Sequence, residues 1–570
     1  MNKFNKEVAD LLFKIADALE ILGEMQFKVL AYRKAARVIS ELTEDLRKIY
    51  KEGKLEEIPG IGEGIAKKIK EYIETGKMKK AEEVLSKIPP GLLPLMSIPS
   101  LGPKTIALAY KKLGVKDIND LKRVLKDGSL ARLPGMGEKK IENIIKGIEL
   151  WEKGKERFLL GEVYPIVENI VSELKSHKEI IEAIPAGSYR RMKETVGDID
   201  ILVMTEESEK AVNIFCSLKG VERVLAEGGT KGSCIFSGNI QVDLRAIPPE
   251  CFGSALQYFT GSKAHNVHLR SIAKQKGLKI SEYGVFKEDK KIAGENEEDV
   301  YKSIGLIWIP PEMREDTGEI ELAIAGKLPK LIEYDEVKGD LHVHSKYSDG
   351  TMTLEELSIW GKKMGYEYIG VCDHSKSAKY AGGLEIDDIR KKMDEIKRIN
   401  DKKVGCYLIM GAEVDILPDG SLDYPDEILK EIDLVLVSVH TGFKKDNTDR
   451  ILKALDNPYV HGLSHPTGRL LGQREGYPVD IEAVIEKCAQ KNKLLEINAY
   501  YERLDLYDIY LRKAKEKNVK FLIGTDAHHL GQLWMMKLGI GMARRGWLTK
   551  EDIINTMDCN KLLEFLKSLR

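Results

Sequence analysis

Residues 186–203 read Ala-Gly-Ser-Tyr-Arg-Arg-Met-Lys-Glu-Thr-Val-Gly-Asp-Ile-Asp-Ile-Leu-Val, a glycine-serine turn followed by two acids and an aliphatic run. The β-branched and aliphatic residues after Asp198 predict a strand. Side chains two positions apart on a strand share one face, so Asp198 and Asp200 converge where their repulsion requires a cation. A third acid, Asp243, lies in the alternating run 240–247, which we expect to be a neighbouring strand.

Three carboxylates in this arrangement suit two Mg²⁺ or Mn²⁺ ions, one at a primer 3′-hydroxyl and one at a triphosphate. We expect Gly187 and Ser188 to bring a backbone N–H and a hydroxyl to the phosphates, and Arg191 to add positive charge. A lone pair of aspartates is common on protein surfaces. The glycine-serine turn, the Asp-Ile-Asp strand and the third acid together resemble the palm of the nucleotidyltransferases.

A second motif narrows this resemblance. Residues 258–262 read Tyr-Phe-Thr-Gly-Ser and resemble the corresponding motif of the family X DNA polymerases. The resemblance implies deoxynucleoside triphosphates as substrates. It implies that Tyr258, Phe259 and Gly261 shape the sugar pocket. It also implies that Asn266 contacts the minor-groove edge of the base and that Arg270 contacts the template side. Gln241 stands where family members often place an arginine beside the third aspartate, which puts the handling of the primer 3′-hydroxyl in question.

Three glycine turns precede helical patterns in the first 150 residues, at 58–69, 98–106 and 133–141. Glycines allow close backbone approach, and the following helix start offers free N–H groups and a positive dipole end to phosphate. The turns resemble helix-hairpin-helix motifs, which grip the DNA backbone without reading sequence. Their candidate DNA-binding glycines are Gly60, Gly62, Gly102, Gly135 and Gly137. One isolated copy would equally fit a simple helical hairpin.

The stretch 28–80 resembles the small lyase domain of DNA polymerase beta. The resemblance places Lys68 as the Schiff-base nucleophile for an opened abasic sugar, with phosphate-binding and helper positions at Lys28, Tyr32, Arg33, Lys34 and Lys80. Gly64 and Lys67 depart from the family pattern, in place of a lysine and a glutamate. We expect nearby cations such as Lys67 to favour the neutral amine of Lys68. A solvated lysine face that only touches phosphate is the alternative.

From residue 338 onward, hydrophobic strand-like runs alternate with helical stretches, which predicts an α/β barrel. Almost every run ends in a histidine or an acid, as active-site residues do at the carboxyl ends of barrel strands. The nine candidate metal ligands are His342, His344, Asp349, His374, Glu413, His440, His465, Asp526 and His528. Mixed imidazole and carboxylate ligation suits Zn²⁺, Mn²⁺ or Fe²⁺, and nine ligands suffice for a cluster of up to three metals.

This pattern is similar to that of the polymerase-and-histidinol-phosphatase (PHP) phosphoesterase domain, with all nine positions filled. The resemblance implies a 3′–5′ exonuclease and related processing of DNA ends and abasic sites. His461 and His529 neighbour ligands without matching the pattern. We expect Arg469 and Lys376 to contact substrate phosphate.

Composition bounds these predictions. Lys+Arg (90) and Asp+Glu (91) nearly cancel, so net charge neither indicates nor excludes a nucleic-acid partner. The seven cysteines show no CxxC spacing, which argues against a zinc ribbon or a disulfide framework. The charged N-terminal sequence resembles neither a signal peptide nor a membrane span. We expect a cytoplasmic protein without membrane association, most simply a monomer.

The resemblance covers essentially the whole chain and predicts a multidomain α+β and α/β protein. Its domains are a helical lyase-like domain at 1–85, helical fingers at 86–150, a nucleotidyltransferase palm at 151–255, a small thumb at 256–315, a linker at 316–337 and a distorted PHP α/β barrel at 338–570. The implied function is gap filling in base-excision repair, acting on gapped or nicked duplex, primer-template and abasic sites.

Two alternatives remain. A DNA-anchored PHP phosphatase would turn over free phosphomonoesters at least as fast as DNA ends. A non-catalytic DNA-binding scaffold would have little reason to keep three palm acids and nine barrel ligands.

Overall fold

The computed structural model describes residues 3–42, 45–58, 61–98, 101–153, 157–238 and 240–570. The chain divides into two compact units, Met1–Arg157 and Phe158–Arg570. Within these described ranges, no helix has the length and apolar character needed to cross a bilayer.

The first unit consists of helices whose apolar sides face one core. The helices are α1 Lys3–Leu22, α2 Gln26–Glu41, α3 Leu46–Lys51, α4 Glu63–Thr75, α5 Lys79–Leu85, α6 Pro103–Leu113, α7 Ile118–Lys126 and α8 Glu138–Lys153. Buried residues from Val8 to Ile148 form a single cluster. The segments predicted as a lyase-like domain and fingers therefore share one core.

A mixed sheet organises the start of the second unit. Its strands lie in the order β2, β4, β7, β6, β5, and only the β4–β7 pair is parallel. The strands of this region are β1 Phe158–Leu159, β2 Glu182–Pro185, β3 Thr195–Val196, β4 Ile199–Met204, β5 Val221–Glu227, β6 Lys231–Phe236 and β7 Ile240–Ile247. Its helices are α9 Leu160–Lys175, α10 Gly187–Arg190 and α11 Ser208–Cys216.

The predicted thumb combines short helices with a small antiparallel sheet. Its elements are α12 Phe252–Thr260, α13 Lys263–Gln275, β8 Leu278–Ser281, β9 Gly284–Lys287, β10 Lys290–Ala293, α14 Glu297–Ser303 and α15 Glu319–Ile324. Helix α15 falls in the segment predicted as a linker. Its Ile320 and Ala323 are buried in the same cluster as Leu269 and Tyr301, so this segment packs as part of the thumb.

Residues 338–570, all of which the structure describes, contain a parallel sheet of seven strands in chain order. The strands are β11 Gly339–Val343, β12 Tyr368–His374, β13 Tyr407–Asp415, β14 Leu434–Ser438, β15 Gly462–Leu463, β16 Leu494–Asn498 and β17 Phe521–Gly524. The surrounding helices are α16 Leu354–Lys363, α17 Ile386–Lys402, α18 Asp426–Leu429, α19 Thr448–Ala454, α20 Ile481–Lys491, α21 Asp508–Glu516, α22 Met536–Arg545 and α23 Cys559–Ser568. The strands are almost entirely buried, as expected for a parallel sheet covered on both faces.

The two edges of this sheet meet and nearly close a barrel. The backbone N–H of His344 donates to the carbonyl oxygen of Ala527 at 2.9 Å, and that of Asp526 donates to His342 at 2.8 Å. These bonds bring the start and the end of the barrel sequence together. The predicted α/β barrel is confirmed.

The palm and the barrel share one hydrophobic core. Buried residues of α9 and the palm sheet belong to the same cluster as the barrel strands and α22. Tyr164 of the palm stacks on Trp534 of the barrel, with 5.5 Å between ring centroids. Arg469 of the barrel also donates a hydrogen bond to Glu194, which precedes the palm strand β3, at 2.7 Å.

Candidate active sites

The palm acids lie on adjacent parallel strands. Asp200 is in β4 and Asp243 is in β7, and the two residues are direct neighbours in the strand register. Asp198 is exposed and immediately precedes β4. The expected neighbouring strand is therefore β7, which places Asp200 and Asp243 side by side, with Asp198 two residues before Asp200.

Asp243 is held by three side chains, of which the sequence connected only Gln241 with it. The Lys231 ammonium lies 2.7 Å from one carboxylate oxygen, and Ser233 donates to the other at 2.6 Å. Gln241, the departure from the family pattern, also donates to Asp243, at 3.1 Å. Burial alone would raise the pKa of Asp243, but these hydrogen bonds outweigh it and lower the pKa. Asp243 is thus kept as a carboxylate.

Asp200 has the opposite electrostatic environment. Burial, and then the like charges of Asp198 and Asp243, raise its pKa to about 6. A cation between these carboxylates would remove that repulsion. Among the described residues, the groups of three or more candidate ligand atoms that all lie within 4.8 Å of one another are in the barrel, so the three palm acids do not all lie within that distance of one another.

The predicted nucleotide pocket lies where the palm meets the thumb. Gly187 begins α10 with a φ of 62°, and the half-buried Ser188 follows it. Tyr258 and Phe259 make an edge-to-face pair with centroids 5.2 Å apart. Gly261, whose peptide bond to Ser262 is cis, ends α12 with a φ of 70°.

Two predicted nucleotide contacts are engaged inside the protein. Asn266 accepts a hydrogen bond from Gln257 and donates one to the carbonyl oxygen of Tyr258, both at 2.7 Å. Arg191 lies 3.1 Å from the Glu315 carboxylate and donates to the carbonyl oxygen of Thr260 at 2.5 Å. Arg270 is exposed on α13. In this conformation Arg191 joins the palm turn to the thumb.

The nine predicted barrel ligands gather at the carboxyl end of the strands. His374 and Glu413 are register neighbours on β12 and β13. His465 and Asp526 follow strands β15 and β17 with φ angles of 27° and 55°. Positive φ is costly for residues other than glycine and is concentrated at functional sites.

The ligand atoms form three adjoining groups, each within 4.8 Å. The groups share His344 and His374, and they consist of His344, Asp349, His374 and His528; of His342, His344 and Asp526; and of His374, Glu413 and His440. His465 joins the third group, because its Nε2 lies 2.7 Å from Glu413 Oε1. The sequence interpretation had predicted all nine residues for one cluster.

The donor set fits divalent cations. His342 Nε2 and His344 Nε2 face each other at 3.1 Å, an arrangement in which two lone pairs point to one place. Glu413 Oε2 is buried without a well-aligned hydrogen bond to any described residue, and its neighbour at 2.9 Å is His374 Nδ1. Burial, and then the neighbouring charge of His374, lower the pKa of His344 to about 4, so its imidazole is neutral at pH 7. A neutral imidazole and an ionised carboxylate are the ligand forms that metals bind.

Two acids that the sequence interpretation missed orient the imidazoles. Glu496 lies 2.6 Å from His342 Nδ1, and Asp415 lies 2.6 Å from His440 Nδ1. Each bond leaves Nε2 directed toward the ligand groups, the usual support of metal-binding histidines. The available signal was the position of Glu496 and Asp415 on barrel strands, but acids there resemble many buried structural acids.

The phosphate contact predicted for Arg469 is wrong. Its side chain is about 1% exposed, bonds to Glu194 and lies over the Tyr507 ring, with 3.7 Å from Cζ to the centroid. A different arginine, Arg503, lies beside the proposed metal ligands. Its Nε is 3.4 Å from Asp526 Oδ2. Sequence reasoning missed Arg503, which follows β16 among tyrosines.

The three glycine turns of the first unit share a hydrogen-bond pattern at their described residues. The N–H of Ile61, Leu101 and Met136 each donates to the carbonyl oxygen three residues earlier. Gly62, Gly102 and Gly137 then accept the first hydrogen bonds of α4, α6 and α8. A Cβ atom at these glycines or at Gly135 would meet nothing within 4 Å, so their outer surface is open to a ligand. Gly60 lies outside the described residues.

Lys68 lies on α4 beside Tyr32, with its Nζ 6.0 Å from the ring centroid. Partial burial, and then the charge of Lys80, lower its pKa. Lys67 does not provide this effect, because it pairs with Glu63 at 2.5 Å. The other predicted contacts include an exposed Lys34, ion pairs of Lys28 with Glu24 and of Lys80 with Glu83, and bonds from Arg33 to Asp17 and Glu20.

Comparisons with known families match five segments of the chain. The matching family models are those of a helix-hairpin-helix domain at residues 3–78, a SAM-like helix-hairpin-helix tandem at 92–149, a DNA polymerase beta palm at 160–229, a DNA polymerase beta thumb at 255–315 and a PHP domain at 340–507.

Curated relatives match either the whole chain or the barrel. A protein of Bacillus subtilis (strain 168) named DNA polymerase/3′-5′ exonuclease PolX is 38% identical over 572 residues, 99% of each chain. Probable phosphatases of Thermoanaerobacter sp. (strain X514) and Clostridium acetobutylicum are 29% and 32% identical, each over 242 residues, 40% of this chain and 94% of the relative.

Proposed function

Since the chain belongs to the family X DNA polymerases that carry a C-terminal PHP domain, we propose that it fills short DNA gaps in base-excision repair and trims 3′ ends with its barrel. The observation that carries this function is the joint presence of the palm acids on neighbouring strands and three ligand groups in the barrel. A non-catalytic scaffold would require neither set.

In the palm, the proposed ligands are Asp198, Asp200 and Asp243. Bound Mg²⁺ or Mn²⁺ supplies charge stabilisation for the triphosphate and lowers the pKa of the primer 3′-hydroxyl. Lys231, Ser233 and Gln241 keep Asp243 ionised. Asp200, whose pKa is raised, gains most from a nearby cation. Gln241 thus influences the palm site through Asp243, which it helps to keep ionised.

In the barrel, the proposed ligands are the nine predicted residues. Bound Mn²⁺, Zn²⁺ or Fe²⁺ supplies a water of lowered pKa for phosphodiester hydrolysis. Glu496 and Asp415 fix the orientation of His342 and His440, and Arg503 places a positive charge beside Asp526 for the substrate phosphate.

A gapped duplex with a labelled primer tests this function. With nucleotides and Mg²⁺ the primer should lengthen, and without nucleotides it should shorten. After chelation, Mn²⁺ should restore shortening better than Mg²⁺, because six of the nine proposed barrel ligands are imidazoles. Absence of extension would contradict the polymerase assignment, and absence of shortening with every metal would contradict the nuclease assignment.

A 5′-deoxyribose-phosphate lyase is a second candidate activity, favoured by the lowered pKa of Lys68. Borohydride should trap a covalent adduct with an opened abasic site, because a neutral amine forms the required Schiff base. Lys68→Ala should lose this adduct, whereas Lys67→Ala is the matched control and should keep it. An adduct of normal yield in Lys68→Ala would place the nucleophile elsewhere.

A phosphatase is a further candidate for the barrel, because the barrel is similar to probable phosphatases. To test this candidate, kcat/KM is measured with the same protein preparation for a free phosphomonoester and for a single-stranded DNA 3′ end. Faster turnover of the phosphomonoester, judged by kcat/KM, would favour this candidate over the nuclease.

A further inference from the structure

Tyr380 places an uncovered aromatic ring beside the barrel ligands. Its side chain is 73% exposed, more than any other large apolar or aromatic side chain among the described residues. The ring centroid lies 6.4 Å from those of both His374 and His440. An aromatic ring is therefore kept in solvent at the edge of the predicted metal cluster.

The loop that carries Tyr380 is fixed on both sides. Tyr380 lies in a single 3₁₀ turn, Lys379–Ala381, and its neighbours Ala378 and Ala381 are buried. The backbone N–H of Leu384 donates to the carbonyl oxygen of His374 at 2.9 Å, which closes the loop at its base.

Side chains and glycines also hold this loop. Ser377 donates through its hydroxyl to Asp415, and its backbone N–H donates to Asp423 at 2.7 Å. A Cβ atom at Gly383 would lie 1.9 Å from the carbonyl oxygen of Ser375, so only glycine fits there. The exposure of Tyr380 is thus built into a well-anchored loop.

The surroundings of the ring suit a nucleotide. The Tyr380 ring lies beside the imidazoles of two proposed ligands, so a base stacked on it would be held at the mouth of the ligand groups. Arg503, which approaches Asp526, supplies positive charge at the same mouth. One side of the mouth therefore offers an apolar face, and another offers cationic groups.

We propose that Tyr380 is a stacking platform for the base of the 3′-terminal nucleotide of single-stranded DNA. The inference rests on the nuclease function proposed for the barrel and adds a base subsite to it. Every base has a π-face, so stacking on one ring tolerates all four bases. The barrel should therefore prefer unpaired 3′ ends that carry a base over equivalent ends that lack one.

The test compares Tyr380→Ala and Tyr380→Phe with the wild-type protein. The control is Tyr283→Ala, a tyrosine of the thumb that is 65% exposed. The probes are two single-stranded oligonucleotides that differ only in the last nucleotide, one with a normal base and one with a tetrahydrofuran abasic analogue. Trimming is measured as kcat and KM, and manganese content is measured for each preparation.

For the oligonucleotide with a base, Tyr380→Ala should raise KM about tenfold, and Tyr380→Phe and Tyr283→Ala should resemble the wild-type protein. For the abasic oligonucleotide, all four proteins should be alike. An unchanged KM for Tyr380→Ala would overturn the inference, as would an equal loss on both oligonucleotides or a lower manganese content. Failure of the wild-type protein to trim either oligonucleotide would instead overturn the nuclease function itself.

Discussion

At the residue scale, two of the proposed barrel ligands, His342 and His440, depend on acids that hold the far side of their imidazoles. Glu496 is fully buried and accepts bonds from His342 Nδ1, Ser464 and the backbone of His465. It therefore orients two ligands without lying in a ligand group itself.

Glu496→Gln should weaken metal binding about 10- to 100-fold, because the amide supports the His342 imidazole less well. The measurement is the Mn²⁺ concentration that half-restores trimming after chelation. Glu486→Gln is the control, since Glu486 is an exposed partner of Lys517. Equal Mn²⁺ requirements for the two variants would contradict the orienting role.

We expect His461 to make the barrel sensitive to acid. It is fully buried, and its Nδ1 accepts the N–H of Val435 at 3.0 Å, which requires a neutral ring. Burial, and then the charges of Arg570 and Lys493, lower its pKa to about 3. The folded pKa lies below the unfolded value near 6.5, so this contribution to stability is present above pH 6.5 and is lost as pH falls toward 3, by about 1.4 kcal/mol per unit.

His461→Gln should therefore show a shallower fall of Tm between pH 7 and pH 5 than the wild-type protein, although its Tm at pH 7 should itself be lower. Thermal unfolding at several pH values measures the two profiles. Parallel profiles would show that His461 does not couple protonation to unfolding.

Local patterns in the sequence were sufficient to predict which histidines and acids gather in the barrel and that Asp200 and Asp243 lie on neighbouring palm strands. His342 and His344, for example, combine strand spacing with a chemistry that few other roles explain. The supporting residues were not predictable, because Glu496, Asp415 and Lys231 meet their partners through the way the strands pair in the sheets. Arg469 was misjudged because its partner, Glu194, is distant in the sequence. Lys67 was misjudged although its partner, Glu63, lies only four residues away on α4.

At the element scale, a buried carboxylate fastens α10 of the palm to the thumb. Glu297, at the start of α14, receives two hydrogen bonds from Arg190, at 2.8 and 2.9 Å, and further bonds from Arg314. Arg314 is fully buried. The turn that carries Gly187 and Ser188 is thus positioned by one acid between two arginines.

Glu297→Gln should lower the free energy of unfolding by about 3–5 kcal/mol, because it leaves the buried positive charge without its counter-charge. It should also raise KM for the nucleotide, since α10 loses its attachment to the thumb. Glu298→Gln, at the exposed neighbouring position, should change neither quantity. Denaturant unfolding and gap-filling kinetics measure both, and a Glu297→Gln protein of normal stability and KM would refute the attachment.

The sequence predicted the strands β4 and β7 and the barrel runs well, because period-two alternation and buried aliphatic runs are local signals. It treated residues 316–337 as a linker, whereas α15 packs there against the thumb. This packing depends on Glu319, whose carboxylate lies 2.7 Å from the buried His265, a long-range pair without a local pattern.

At the scale of the whole molecule, the palm and the barrel are joined through a common core. Gly161 of α9 lies against the barrel, where a Cβ atom would be 2.1 Å from Cβ of Tyr501. No sequence pattern predicts such a contact, because Gly161 and Tyr501 are more than 300 residues apart.

Gly161→Ala should make the trimming activity of the barrel more sensitive to heat, because the added methyl group forces the palm helix away from Tyr501. Gly229→Ala is the control in the palm, since its Cβ would meet only Glu209, at 3.8 Å or more. Residual trimming after timed heating measures the effect. If both variants lose trimming at the wild-type rate, the two parts are not coupled through this contact.

We propose that one chain carries two separate metal-dependent active sites. The most direct measurement follows extension and shortening of one labelled gapped duplex by Asp200→Ala and His344→Ala proteins. Asp200→Ala should lose extension by orders of magnitude and keep shortening, because its defect is confined to the palm. His344→Ala should lose shortening and still fill the gap. Normal shortening by His344→Ala, or loss of shortening in Asp200→Ala, would contradict the account.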